Sequence, residues 1–136
     1  MSTEFQVQIH FDADAGLLHA QVVGILRPEA MPALAAQVLT AVEAHACRSM
    51  VLDYTAAARP GSTADLYQIN SRLHALGVQP ADIIAVVHAP AANAADRNTL
   101  AETIAWNRGW HNVKYFDDLA AARAWVRAAQ LEQRTS

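Results

Sequence analysis

The chain has 136 residues, 53% of them apolar, and carries 10 basic against 13 acidic side chains for a formal net charge of −3. That length suits one domain around one core, and the scatter of both signs leaves no basic stripe for nucleic acid or an anionic membrane surface. No apolar run reaches the roughly 20 residues a bilayer demands, Cys47 has no partner for an intramolecular disulfide, and the start MSTEFQVQIH lacks an apolar signal core; the expected setting is the reducing cytoplasm, with no membrane insertion.

Phe5, Val7, Ile9 and Phe11 alternate with Gln6, Gln8 and His10, the period of a strand with one buried face. Turn chemistry over Asp12 to Gly16 predicts a hairpin into an apolar second strand from Leu17 to Leu26, which Gly24 weakens or bulges. Pro28 suits the first turn of a helix, Pro32 is early enough to be tolerated, and Met31, Leu34, Ala35, Val38 and Val42 recur at helical spacing. Met50 to Tyr54 reads as a short interior strand, followed by a loop over Thr55 to Gly61. Ser62 is a good helix N-cap with Asp65 three residues on, and Leu66, Ile69, Leu73 and Leu76 form a stripe that ends at Gly77. The unbroken apolar run Ile83 to Val87, closed by His88, belongs in the interior of a parallel sheet. A third helix runs from Asn93 or Asp96 to about Arg108 on Leu100 and Ile104, with Gly109 as its stop. Val113 to Phe116 is the last strand. Asp117 or Asp118 caps a final helix with Leu119, Ala122, Trp125, Val126 and Ala129 on its core face. Polar tails are expected at 1–4 and 130–136 of a single domain.

The order is strand, strand, then helix and strand in alternation, ending on a helix. It predicts an α/β fold with a mixed five-stranded sheet, the first strand antiparallel and the rest parallel, and four helices. This order, the Gly61-Ser62-Thr63 turn opening a helix after the third strand, and Asn107-Arg108-Gly109 before the last strand resemble the SpoIIAA-like family, which includes the STAS domains of anti-sigma-factor antagonists and, more distantly, CRAL-TRIO domains. The resemblance spans Phe5 to about Ala129. It implies a β-α superhelix, a bacterial cytoplasmic context and function through binding. Signalling members of the family open the corresponding helix with Asp-Ser-Ser/Thr-Gly and are phosphorylated on the hydroxyl. Here Arg59-Pro60-Gly61-Ser62-Thr63-Ala64-Asp65 keeps the hydroxyls, lacks the preceding Asp and has Gly61 before the hydroxyls.

Ligands of open parallel sheets gather beyond the carboxyl ends of the strands. That edge is expected to carry Asp53, Tyr54 and Thr55, then His88, Asp117 and Asp118, with Ser62 and Thr63 opening the neighbouring helix. Exposed N–H groups at such a helix start favour a phosphate or another anion. Asp53, Ser62 and His88 also spell a hydrolase triad, but Pro60-Gly61-Ser62-Thr63-Ala64 lacks the G-x-S-x-G elbow that would expose a nucleophile, so Ser62 reads as a cap. The six histidines show no H-x-x-x-H spacing; no metal and no cofactor are expected, and His10 and His19 face each other across the hairpin. Trp106 and Trp110 flank Arg108 off the Leu100 and Ile104 stripe: either one or both cap the sheet edge as core, or they form an exposed anchor for a second subunit or partner, since Trp with Arg is the composition of a protein interface, and Tyr67 extends that surface. The expected function is a non-catalytic binding or regulatory module acting through protein–protein or phospho-dependent anion recognition. The partners it admits are another protein, a second copy of the chain and a small anion. The alternatives are a carrier or sensor of a small lipid or other apolar ligand, which needs a pocket lined by Val, Leu and Ile, and the Ser-His-Asp hydrolase.

Overall fold

A computed structural model of the chain describes residues 4–58, 75–89, 94–107 and 109–135. The hairpin forms as its alternation dictates: β1 (Phe5–Asp12) pairs antiparallel with β2 (Leu17–Ile25), and His10 lies opposite His19. A short 3-10 turn over Pro28–Ala30 leads into α1 (Met31–His45), with Pro32 in the first turn where its missing N–H costs nothing. β3 (Ser49–Ala58), β4 (Ile83–Val87) and β5 (Val113–Phe116) follow, with α2 (Ala94–Asn107) between β4 and β5 and α3 (Leu119–Thr135) at the end. The strands lie in the order β1-β2-β3-β4-β5, and every pair after the first is parallel. The expected mixed sheet is therefore present. Among the described residues there are three α-helices where four were expected, and the helix predicted from Ser62 falls, up to His74, outside them.

The strands read as interior are buried on both faces. One face of the sheet carries Leu18, Ala20, Val22, Met50, Tyr54, Ile84 and Val86 and packs on Leu34, Val38 and Val42 of α1. The other carries Leu17, Val51, Ile83, Ala85 and Val87 against Ala122, Val126 and Ala129 of α3. Asp118 starts α3 as predicted, accepting from the Ala120 N–H at 3.1 Å. At the amino edge of the sheet Arg48 grips Asp82 through two nitrogens (2.5 and 2.9 Å) and donates to the Gly77 carbonyl at 3.0 Å, tying the 77–82 turn to the start of β3.

Three expectations change. β3 does not end at Tyr54, because Ala56, Ala57 and Ala58 continue the ladder opposite Val23, Gly24 and Ile25 past an irregularity in register. Residues 130–135 are helix and not a frayed tail: the Gln130 amide donates to the Gly16 carbonyl at 2.9 Å and that of Gln133 to the Ala81 carbonyl at 2.7 Å. In α2 the buried stripe is Ala101, Ile104 and Ala105, while Leu100 is exposed, since small side chains allow the helix to lie close beside β5.

Gly24 sits at φ +101°, and a Cβ there would stand 2.3 Å from the Glu4 carbonyl oxygen. Gly24→Ala combines left-handed strain with a backbone clash, so it is expected to lower unfolding stability by about 2 kcal/mol or more, measured by chemical denaturation.

Candidate recognition site

β2 and β3 run beyond the ends of β4 and β5, so the carboxyl edge of the sheet is a step. Asp53, in the middle of β3, pairs with Val87, the last residue of β4, and therefore stands at the foot of that step. His88 continues from β4, its N–H held by the Phe116 carbonyl at 2.9 Å. Adjacent residues on a strand face opposite sides. Tyr54 joins the α1-side core, which turns Asp53 toward the α3 side.

On the α1 side the His88 ring lies between two tyrosines, 5.6 Å from Tyr54 at an interplanar angle of 19° and 5.9 Å from Tyr115 at 7°. Offset stacking of this kind holds the three rings as one row across the middle of β3 and the ends of β4 and β5. Beneath the row a cavity of about 110 Å³ is lined by Leu34, Val38, Val42, Leu52, Ile84 and Val86 among others. On the α3 side the buried Asp53 carboxylate is shared by two partners. Thr55 donates to Oδ1 from its N–H (3.0 Å) and its hydroxyl (2.6 Å), and His19 Nε2 donates to Oδ2 at 3.0 Å. Burial alone would raise the Asp53 pKa; the two Thr55 bonds and His19 outweigh it and hold the carboxyl below its ordinary value.

This geometry separates residues that the sequence grouped. Asp53 and His88 stand on opposite faces of the sheet, and the histidine bound to Asp53 is His19. The hydroxyl beside Asp53 is that of Thr55, donated to the carboxylate and not to an imidazole, so no nucleophile is activated there. Ser62, Thr63, Tyr67 and Arg108 lie outside the described residues. The two indoles part company: Trp110 is buried, while Trp106 is 59% exposed and stacks on His111 with ring centroids 3.8 Å apart. Trp110 therefore belongs to the core, and Trp106 is the indole of the two that stays on the surface. Sequence reasoning missed His19 and Tyr115. The Thr55 contact had a local signal, since an Asp side chain often caps the N–H two residues on. Among the described residues no three His, Cys, Asp or Glu side chains converge, and no helix is long and apolar enough to cross a membrane.

Because the lowered Asp53 pKa means the folded state prefers the ionised form, its contribution to stability is present above the ordinary carboxyl pKa and drains away as pH falls through the lowered one. Asp53→Asn is expected to lose about 1–3 kcal/mol at neutral pH and to flatten the acid limb of stability against pH, read from denaturation curves between pH 7 and acid.

No protein-family model matches the sequence, and no curated protein matches it. Among solved structures, the chain is similar to an anti-sigma factor antagonist from Mycobacterium paratuberculosis, with 23% identity, a TM-score of 0.56, and coverage of 90% of this chain and 94% of that one. The chain thus shares the fold of that antagonist, the SpoIIAA-like α/β fold, here with an antiparallel opening hairpin and an otherwise parallel sheet.

Proposed function

We propose that the chain is a regulatory protein-interaction module that works by binding and not by turnover, with its recognition surface at the carboxyl edge of the sheet. The observation that carries this reading is the state of the polar groups at that edge. The Asp53 carboxylate is consumed by His19 and Thr55, and His88 is clamped between two tyrosine rings. Groups fixed in this way present a rigid surface, whereas catalysis calls for a base within reach of a nucleophile. The likeness in fold to an anti-sigma factor antagonist supports a protein of the anti-sigma-factor kind as the partner. In this reading Ser62 and Thr63 supply the anion- or phosphate-sensitive element at that edge, and Trp106, exposed at the far end of α2 beside the start of β5, adds a separate aromatic anchor of the sort that dominates protein interfaces. The test is calorimetric titration of the chain against the anti-sigma factors of its own source, beside an esterase and phosphatase screen. Binding weakened at least tenfold by Ser62→Asp and by Trp106→Ala is expected. Hydrolytic turnover abolished by Ser62→Ala and by His88→Ala would overturn the reading.

The apolar cavity under the aromatic row favours a second reading, a small apolar ligand. Its roughly 110 Å³ supports a small ligand, because pockets for drug-sized molecules begin near 300 Å³ and a long acyl chain does not fit. A compound of the size of benzene is the expected occupant. Benzene should raise the melting temperature of the parent chain and leave that of Val86→Phe, which fills the space, unchanged; no shift in the parent removes this reading.

A further inference from the structure

The two edges of the sheet are treated differently. At one edge β5 is four residues long, carries Lys114, and has the Tyr115 N–H occupied by the Glu102 carboxylate at 2.9 Å. These are the usual devices that stop a sheet from growing. At the other edge β1 runs for eight residues as Phe5-Gln6-Val7-Gln8-Ile9-His10-Phe11-Asp12, with no proline, lysine or bulge. The Ile25 N–H bonds the Glu4 carbonyl, and the register adds each pair to the same sum, so the even residues of β1 face β2. The main-chain groups of Phe5, Val7, Ile9 and Phe11 therefore point outward in a row, and their side chains, packed against the α1-side core, remain only partly buried.

We infer that β1 pairs with β1 of a second copy of this chain, antiparallel about a two-fold axis at Gln8, joining two five-stranded sheets into one of ten. The pattern of the strand is self-complementary about that residue. Phe5 meets Phe11 and Val7 meets Ile9 as hydrogen-bonded pairs, and Gln6 meets His10 on the opposite, polar face, where both are exposed. Among registers that keep the outward groups in phase, this one matches all four apolar residues with apolar residues. A two-fold axis normal to the sheet keeps faces together, so the partly buried stripe of one copy extends that of the other beneath the two α1 helices. At the ends two acidic residues meet, and each is already neutralised within its own copy. Glu4 of one copy comes beside Asp12 of the other, and each carries its own arginine, Arg27 at 2.8 Å and Arg123 at 2.5 Å, which offsets the like charges of the two carboxylates. The pairing leaves β4, β5 and the carboxyl step free, so the dimer offers two recognition surfaces.

The test uses the full chain. Edge pairing of eight residues falls at the small end of interfaces, so sedimentation velocity up to about 0.5 mM is expected to show a reversible dimer with a dissociation constant on the order of micromolar. Gln8 is exposed in the single copy, so Gln8→Glu sets two like charges on the axis without touching the core and should weaken the dimer at least tenfold. Opposed residues of a non-hydrogen-bonded pair stand about 4.5 Å apart, within disulfide range; Gln8→Cys should therefore oxidise to a covalent dimer faster than His10→Cys, whose symmetry mate lies further off. A monomer at the highest concentration overturns the inference, as does a dimer that Gln8→Glu leaves intact or a Gln8→Cys that fails to cross-link faster than His10→Cys.

Discussion

All five residues of β4 are buried, and the rest of the molecule is arranged around that fact. A strand apolar on both faces must be covered on both, so α1 lies over one face and α3 over the other. Covering both faces leaves main-chain polar groups only the ladder for partners, which fixes β3 and β5 on either side of β4. Side chains that need water or a partner are then driven to the ends of the strands and to the sheet edges.

Asp53 is the exception that shows the cost of breaking this arrangement. It stands inside β3, 4% exposed, where an ionised carboxyl is stable only with hydrogen-bond donors on both oxygens. Thr55 and His19 answer it, and in doing so they spend the groups that might otherwise do chemistry. The same logic holds at the amino edge, where the buried Asp82 is matched by the Arg48 fork and by the Gln79 N–H at 2.9 Å. Acidic groups here serve to fasten β2 to β3 and the 77–82 turn to β3. A scaffold whose polar groups are engaged in this way is suited to presenting a surface of fixed shape.

Trp106 and Trp110 illustrate how local backbone geometry sorts similar residues. On a continuous helix a spacing of four would place both indoles on one face. α2 stops at Asn107, and Gly109 takes φ +91°, a conformation that a side chain strongly disfavours, so the chain turns back and Trp110 enters the core while Trp106 stays outside. The outcome leaves Trp106 on the surface, stacked on His111 beside the end of the helix.

The sequence by itself determined the elements whose signal is periodic and local. Phe5 to Phe11 alternates and forms an edge strand, Ile83 to Val87 is unbroken and forms an interior one, and Asp118 caps α3 through an N–H two residues away. Even the facing of His10 and His19 followed from the hairpin turn. What only the tertiary structure decided depends on partners far along the chain. Asp53 meets His19 across 34 residues, Gln130 meets Gly16 across 114, and β3 outruns Tyr54 only because β2 is there to pair with it. Periodicity reports which side of an element is buried, within a few residues; it carries no information on the register between parallel strands joined by long crossovers, and that register chose His19 over His88 for Asp53.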